Sequence, residues 1–318
     1  MTVSVTSVNV EKQLKGRDFL TLADYSKEEI AYLLELAAYL KTERKKGEEV
    51  QPLKGKTLGM IFEKSSTRTR VSFETGIYQL GGTGLFLSSK DIQLGRGEPI
   101  SDTAKVLSGY LDGIMIRTFS QADVVELAKN ASIPVINGLT DDYHPCQVLA
   151  DMQTIIECKG NLEGLKIAFV GDGNNMANSL MIGAAIMGVD ISIAAPKEYQ
   201  PKQTFVNQAK QFVTNNKVIV TDDPREAVKG ADVIYTDVWA SMGQESEQQK
   251  REQAFADFQV NDELMKLANA EAIFMHCLPA HRGEEVSAGV IDGGQSVVFQ
   301  QAENRLHAQK ALMAALMG

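Results

Sequence analysis

Short apolar runs alternate with segments of helical spacing along most of the chain. In the first half the apolar runs fall at residues 57–62, 84–88, 113–117 and 133–137, and the helical segments at 68–80, 101–110 and 121–129. In the second half, apolar runs follow at 165–170, 191–195, 217–221, 232–236 and 272–275. Strands that alternate with helices predict parallel sheets covered by helices on both faces. We therefore expect an α/β protein with two doubly wound parallel sheets, which bind ligands at the carboxyl ends of their strands.

The segments outside this alternation complete the predicted organisation. Residues 1–15 read as a polar tail, and Ser26 with Glu29 has capping-box spacing at the start of a helix that runs to about Lys46. Residues 297–299 read as a short strand, followed by an amphipathic helix that we expect to return to the first domain. The length of 318 residues favours two domains, which we place at 1–150 and 151–300, with the C-terminal helix at 301–318.

Composition narrows the classes of partner. The chain has 32 Lys+Arg against 41 Asp+Glu, a net charge of −9, which argues against nucleic acid or an anionic membrane as partner. The three cysteines, Cys146, Cys158 and Cys277, are odd in number and widely spaced, which is typical of reduced thiols in a cytoplasmic protein. We see no secretory signal, no apolar run long enough to cross a bilayer and no metal-ligand cluster in the sequence.

The stretch 65–70, Ser-Ser-Thr-Arg-Thr-Arg, lies between an apolar run and a helical segment. Backbone N–H groups at a helix start, hydroxyls and two guanidinium groups favour an anion there, most simply phosphate. A serine N-cap followed by solvated arginines explains the same residues without a ligand. No Gly-Lys-Ser/Thr phosphate loop is present, so a nucleoside triphosphate is not the first expectation.

Other polar residues stand at predicted strand ends or beside them. Arg117 ends the run 113–117, and His144 precedes Pro145, which suits the first position of a helix and puts Gln147 one turn further on. Gln93 lies in a long glycine-containing loop that is either mobile or an interface arm. Taken alone, His144 is more simply a helix-capping residue, whereas beside two arginine sites a ligand is the better interpretation.

The second half has a glycine turn and two polar strand ends. Gly171-Asp172-Gly173 resembles a dinucleotide fingerprint, but Met176 occupies its last glycine position and no acidic residue ends the following strand, which argues against NAD. Asn174 and Asn175 offer amide groups to a zwitterionic ligand, or are asparagines in left-handed turn geometry.

Asp237 stands at the end of a strand, before a Ser-Met-Gly loop. It is either a carboxylate that binds a cation or a helix cap. Cys277 ends another strand and, in isolation, reads as a small buried hydrophobic residue.

Together these motifs resemble the aspartate/ornithine carbamoyltransferase family over nearly the whole chain. The resemblance rests on Ser66-Thr67-Arg68-Thr69-Arg70, on His144-Pro145-Cys146-Gln147, on the stretch 237–243 and on His276-Cys277-Leu278-Pro279. The first two motifs are shared with the aspartate-using branch and indicate carbamoyl phosphate. The Ser-Met-Gly and His-Cys-Leu-Pro motifs point to ornithine as the acceptor.

The resemblance implies carbamoyl transfer from carbamoyl phosphate to the δ-amine of ornithine, giving citrulline and phosphate, in a cleft between the two domains and without cofactor or metal. It implies that the catalytic residues are Arg68, Arg117, His144, Asp237 and Cys277. The implied carbamoyl phosphate ligands are Ser66, Thr67, Arg68, Thr69, Gln93, Arg117, His144, Gln147, Cys277, Leu278 and Arg305. The implied ornithine ligands are Asn175, Asp237, Ser241 and Met242. Gln93 would come from a neighbouring subunit, so the resemblance also implies a homotrimer or a multiple of one.

Three alternatives remain open at this point. A sibling transferase acting on putrescine or an acylated ornithine needs only a changed Ser-Met-Gly loop. A NAD-dependent dehydrogenase is suggested by the glycine turn and opposed by Met176. A non-catalytic anion-binding protein requires Arg117, His144 and Asp237 all to be capping residues.

Overall fold

The computed structural model describes residues 5–241 and 245–318, and the chain divides into two compact units. One unit comprises Met1–Gln153 together with Glu303–Gly318, and the other comprises Thr154–Ala302. The sequence places the corresponding boundaries at residues 150 and 300.

The first unit contains a four-stranded sheet in the order β2-β1-β3-β4, in which all neighbours are parallel. Its strands are β1 (Thr57–Phe62), β2 (Thr83–Ser88), β3 (Gly113–Arg117) and β4 (Val135–Leu139). Its helices are α1 (Val5–Leu14), α2 (Lys27–Lys46), α3 (Thr67–Gln79), α4 (Ile100–Ser108), α5 (Gln121–Asn130) and α6 (Pro145–Lys159), the last of which continues into the second unit. Strand β3 is buried at every position, as expected of a strand covered on both faces, whereas the edge strand β2 exposes Leu85 and Phe86.

The second unit contains a five-stranded parallel sheet in the order β7-β6-β5-β8-β9. Its strands are β5 (Lys166–Val170), β6 (Asp190–Ala194), β7 (Val218–Thr221), β8 (Val233–Thr236) and β9 (Ile273–His276). Its helices are α7 (Asn175–Met187), α8 (Gln203–Lys210), α9 (Pro224–Val228), α10 (Gln248–Ala254), α11 (Asp262–Met265) and α12 (Ala288–Ile291). Helix α7 is buried from Met176 to Met187, so its apolar residues continue all round rather than forming one stripe.

The predicted fold class, two doubly wound parallel sheets, is confirmed. In each sheet the chain reverses its direction of strand addition, at β1/β3 in the first and at β5/β8 in the second. Such switch points open a crevice at the carboxyl ends of the strands. The residues that follow β1, β3, β5 and β8 therefore lie where a ligand would bind.

Two predictions at the chain ends were wrong. Residues 297–299 are not a strand, because the last helix, α13 (Val298–Met317), already begins at Val298. Only a single bridge forms there, between Ser296 and Phe274, with the Val297 N–H donating to the Phe274 oxygen at 3.0 Å. The tail 1–15 contains helix α1, which the polar composition concealed, although Val10 and Leu14 of this helix are buried.

Helix α13 returns to the first unit, as the sequence predicts. The Gly16 N–H donates to the Leu316 oxygen at 2.9 Å, and Lys310 Nζ donates to Gln79 Oε1 at 3.0 Å. The capping box at the start of α2 is also confirmed, with Ser26 and Glu29 each accepting from the other's backbone. In the part of the chain that the structure describes, no helix is both long and apolar enough to cross a membrane.

His307 on α13 should make stability depend on pH. The residue is buried, and burial, together with Lys41 and Lys310, lowers the pKa of its imidazole from 6.5 to about 4. The unfolded chain therefore binds the proton more tightly between these values, and folding loses stability as the pH falls through that window. We expect this group to make the free energy of unfolding about 2 kcal/mol lower at about pH 5 than at about pH 7.5.

Urea unfolding of the parent and of His307→Gln at both pH values measures this effect. Because the variant lacks the titrating group, its stability relative to the parent should improve by about 2 kcal/mol at the lower pH. An unchanged difference between the two proteins would contradict the prediction.

Candidate active site

The start of helix α3 gathers hydroxyl groups and cations at the end of β1. Ser66 is the N-cap residue, and its Oγ accepts the Thr69 N–H at 3.2 Å and donates to Thr69 Oγ1 at 3.1 Å. Thr67 is exposed, Arg68 is half-buried and Thr69 is fully buried. The cap and the anion site are compatible interpretations, because one serine side chain leaves the other N–H groups of the first turn available.

Arg305 of helix α13 connects two of the predicted ligands. Its Nη2 donates to Thr69 Oγ1 at 3.0 Å and its Nη1 donates to Gln147 Oε1 at 2.9 Å. Gln147 in turn donates from Nε2 to Asp151 at 2.9 Å. All four side chains are buried, so this network fixes the Thr69 hydroxyl and the Gln147 amide.

Arg117 and His144 complete a cationic cluster with Arg68 and Arg305 in the first unit. Arg117 is the last residue of β3 and is paired in register with Phe62, the last residue of β1. His144 immediately precedes α6, whose first residue is Pro145, as predicted. Burial, followed by the nearby guanidinium groups of Arg305, Arg117 and Arg68, holds the pKa of His144 well below 6.5. The imidazole is therefore neutral near pH 7 and adds a hydrogen-bonding group rather than a fourth cation.

A small cavity borders the same helix start. It has a volume of about 320 Å³, and the residues that line it include Ser65, Ser66, Arg70 and residues 88–90 at the end of β2. Arg70 itself is engaged elsewhere, since Nε lies 3.4 Å from Glu74 and the guanidinium lies 3.8 Å from the Phe86 ring centroid. Of the two arginines in the motif, Arg68 is thus the one directed to the cationic cluster.

In the second unit a carboxylate at the end of β8 organises a separate group of polar residues. Asp237 accepts from Asn174 Nδ2 at 2.9 Å, from the Val238 N–H at 2.9 Å and from the Cys277 thiol at 3.0 Å. Asn174 is the N-cap of α7 and has extended backbone angles rather than a left-handed turn. Asn175 is the first residue of that helix. Cys277 is half-buried and its thiol donates a hydrogen bond to Asp237. It is therefore not the inert apolar residue that it resembles in isolation.

The glycine turn after β5 has a structural cause. A Cβ atom at Gly173 would lie 2.2 Å from the Pro201 nitrogen, so only glycine allows the loop after β6 to pass. Asp172 beside it forms a buried ion pair with Arg251, at 2.9 Å from Nη1. Burial raises the pKa of the Asp172 carboxyl to about 6 although Arg251 opposes that shift. Close packing thus accounts for the turn without a dinucleotide.

Sequence reasoning missed Arg251. Its Nη1 also donates to the Trp239 oxygen at 2.8 Å, which ties α10 to the loop after β8. The residue lies in a polar stretch whose pattern does not indicate a buried partner, and its ion-pair partner Asp172 lies 79 positions away along the chain.

The remaining predicted residues occupy varied positions. Leu278 follows Cys277 with a φ of 58°, a left-handed conformation that leucine rarely adopts, and a cis peptide bond joins it to Pro279. Ser241 is half-buried after β8. Gln93 is exposed at the start of a short 3-10 helix, Gln93–Arg96. Met242 lies outside the described residues.

Comparison with known proteins identifies the class. Residues 17–157 match the family model of the aspartate/ornithine carbamoyltransferase carbamoyl-P binding domain, and residues 163–316 match that of the Asp/Orn binding domain. The chain therefore belongs to the aspartate/ornithine carbamoyltransferase family.

Individual relatives are similar over their whole length. The ornithine carbamoyltransferase of Oceanobacillus iheyensis is 68% identical, over 100% of this chain and 99% of the relative. That of Bacillus subtilis is 60% identical, over 96% of both chains. Among solved structures, the ornithine carbamoyltransferase from Pyrococcus furiosus is 54% identical with a TM-score of 0.93, over 96% of this chain and 98% of that one.

Proposed function

We propose that this protein transfers the carbamoyl group of carbamoyl phosphate to the δ-amine of L-ornithine, giving L-citrulline and phosphate. The observation that carries the proposal is the 68% identity, over the entire chain, to a protein named ornithine carbamoyltransferase. The cationic cluster of the first unit and the buried carboxylate of the second suit an anionic and an ammonium-bearing substrate respectively.

The phosphate of carbamoyl phosphate would bind at the start of α3. Ser66, Thr67 and Thr69 offer hydroxyl and backbone N–H donors, and Arg68 offers a forked guanidinium that neutralises the charge of the departing phosphate. Arg305, which donates to both Thr69 and Gln147, would keep these donors in place. Gln93 would approach from a neighbouring subunit.

The carbamoyl oxygen would lie among Arg68, Arg117, His144 and Thr69. When the amine attacks the carbamoyl carbon, negative charge develops on that oxygen, and each donor aimed at it contributes about 3–4 kcal/mol in comparable sites. The neutral His144 can donate one hydrogen bond to that oxygen, and its low pKa makes it a weak base. The proton that the attacking amine loses would therefore leave with the phosphate. No residue needs to form a covalent intermediate, since the attacking amine supplies the electron pair.

Ornithine would bind through its amino-acid end to Asp237, Asn175, Ser241 and Met242. The Asp237 carboxylate would take the α-ammonium group, and Cys277 would orient that carboxylate. Because the thiol proton points at Asp237, we assign Cys277 an orienting role and not that of general base. Leu278, the residue after Cys277, is a further proposed ligand of carbamoyl phosphate.

We also propose a homotrimer or a multiple of one, in the cytoplasm, with a role in arginine biosynthesis. Exposed apolar side chains on α3 and the edge strand β2, including Val71, Tyr78, Leu85 and Phe86, support self-association of the first unit. The three cysteines, all among the described residues, form no disulfide bonds, as is typical of a reducing compartment. Light scattering of the purified protein tests the assembly: a mass that is not a multiple of three chains would refute it.

The test of the activity measures formation of the carbamoylated product from carbamoyl phosphate and each of four acceptors. With ornithine we expect rapid product formation, and with putrescine, N-acetylornithine and aspartate we expect little or none. Preference for putrescine or N-acetylornithine would establish the sibling reaction and retain the carbamoyl phosphate assignments. No product with any acceptor would refute the proposal.

A further inference from the structure

Glu285 carries a carboxylate buried in the second unit. The side chain is fully inaccessible, and its Oε1 accepts the His281 N–H at 2.6 Å and faces His276 Nε2 at 3.2 Å. Its Oε2 has no hydrogen-bond partner among the described residues. A buried carboxylate oxygen without a partner is costly, so this atom points to a missing positive group.

His276 does not supply that positive charge. Its Nδ1 accepts the Leu278 N–H at 2.8 Å, so this nitrogen carries no proton of its own. The ring proton therefore resides on Nε2 and is donated to Glu285, which makes the fully buried His276 a neutral donor. A positive group that balances the Glu285 carboxylate would therefore have to lie close to Oε2.

On that side, three potential metal-ligating atoms converge. His281 Nδ1 lies 3.6 Å from Glu284 Oε2 and 3.8 Å from Glu285 Oε2, and the ligand atoms of the three residues all lie within 4.8 Å of one another. Both distances exceed the roughly 3.2 Å limit of a good hydrogen bond. They approach the roughly 3.4 Å that separates two ligands bonded tetrahedrally to one ion at about 2.1 Å.

Hydrogen bonds within the backbone stabilise the turn that brings these residues together. Gly283 has a φ of 95°, and its N–H donates to the Val286 oxygen at 2.8 Å. The Glu284 N–H donates to the His281 oxygen at 3.0 Å. The His281 and Glu284 side chains are 51% and 34% exposed, so an ion from solvent can reach these two ligands.

We propose that His281 Nδ1, Glu284 Oε2 and Glu285 Oε2 bind a divalent transition-metal ion of the Zn²⁺ class, with water completing the coordination. One imidazole and two carboxylates match the nitrogen and oxygen ligands of such ions. The sequence does not indicate this cluster, because two adjacent glutamates three residues after a histidine are also ordinary in a solvated turn. The proposal concerns metal binding and does not depend on the proposed carbamoyl transfer.

Cobalt spectroscopy on the full-length protein tests this site. The protein is stripped with a chelator and titrated with Co²⁺, and Zn²⁺ is then added to displace the cobalt. We expect a visible cobalt spectrum without a thiolate-to-metal charge-transfer band, because the proposed ligands contain no sulfur. His281→Gln and Glu284→Gln should each weaken binding at least ~100-fold, since even outer-shell partners of a metal typically matter 10–100-fold.

A second group, Asp237, His276 and Cys277, also places ligand atoms near one another, so the spectrum must separate the two sites. Cobalt bound there would show the thiolate band and would survive both substitutions. Glu271→Gln, an exposed glutamate of the same unit, is the matched control and should bind as the parent does. Absence of binding in the parent, or binding unchanged in His281→Gln and Glu284→Gln, would overturn the proposal.

Discussion

Arg68→Gln should lower kcat/KM for carbamoyl phosphate by about 10³-fold or more, without a comparable loss of stability. Arg68 lies in the first turn of α3 and is one of three guanidinium groups that depress the pKa of His144. In the proposed reaction it contacts both the leaving phosphate and the carbamoyl oxygen. Loss of one oxyanion donor costs about 10²–10³ in kcat, and loss of the phosphate charge adds to that. Steady-state kinetics with carbamoyl phosphate varied at saturating ornithine gives the value.

Arg70→Gln is the matched control for this substitution. Arg70 lies two residues further along the same helix, but it is exposed, pairs with Glu74 and stacks on Phe86. Exposed pairs of this kind contribute at most about 1 kcal/mol, so its replacement should alter kcat/KM only a few-fold. Equal losses in the two variants would mean that the motif acts through helix packing, and no loss in Arg68→Gln would remove Arg68 from the site.

The alternation of strands and helices was predictable because the central strands are buried on both faces. β1, β3 and β5 are runs of apolar residues that only a covered parallel sheet accommodates, and their positions in the structure agree with the predictions within two residues. The chain ends were not predictable in the same way. At residues 297–299 the apolar run is too short to distinguish a strand from a helix start.

The residues that bear chemistry were predictable where a local rule places them. Ser66 caps a helix, Pro145 begins one, and Asp237 follows a strand, all of which the sequence shows directly. Partners that arrive from distant parts of the chain were not predictable. Arg251 with Asp172 and His276 with Glu285 depend on tertiary packing, which no local periodicity records.

The glycine turn illustrates how one pattern can serve two purposes. In dinucleotide-binding proteins a glycine at this position lets the backbone approach a pyrophosphate. Here Gly173 lets it approach Pro201, and the Gly173 N–H donates to the Tyr199 oxygen at 2.8 Å. The two uses share one sequence pattern, because a glycine indicates a close approach to the backbone but does not identify the neighbouring group.

Asp237→Asn should lower kcat/KM for ornithine by about 10²–10³-fold while binding of a non-reactive phosphonate analogue of carbamoyl phosphate changes little. The carboxylate is buried and accepts from Asn174, Val238 and Cys277. An ammonium group bound to it loses its counter-charge in the variant, and truncating one member of such a charged pair costs about 2–5 kcal/mol.

The substitution should also cost some stability, because each orientation of the new amide opposes a donor. If its NH₂ takes the place of Oδ2 it faces the Asn174 amide nitrogen, and if it takes the place of Oδ1 it faces the Val238 N–H. A buried donor left without an acceptor costs about 1–3 kcal/mol, which urea unfolding would show. Asp257→Asn, an exposed aspartate of the same unit, is the control and should match the parent in both measurements. If ornithine turnover in Asp237→Asn equalled that of the control, the carboxylate would be a structural acceptor for its three donors and not the ligand of the substrate ammonium.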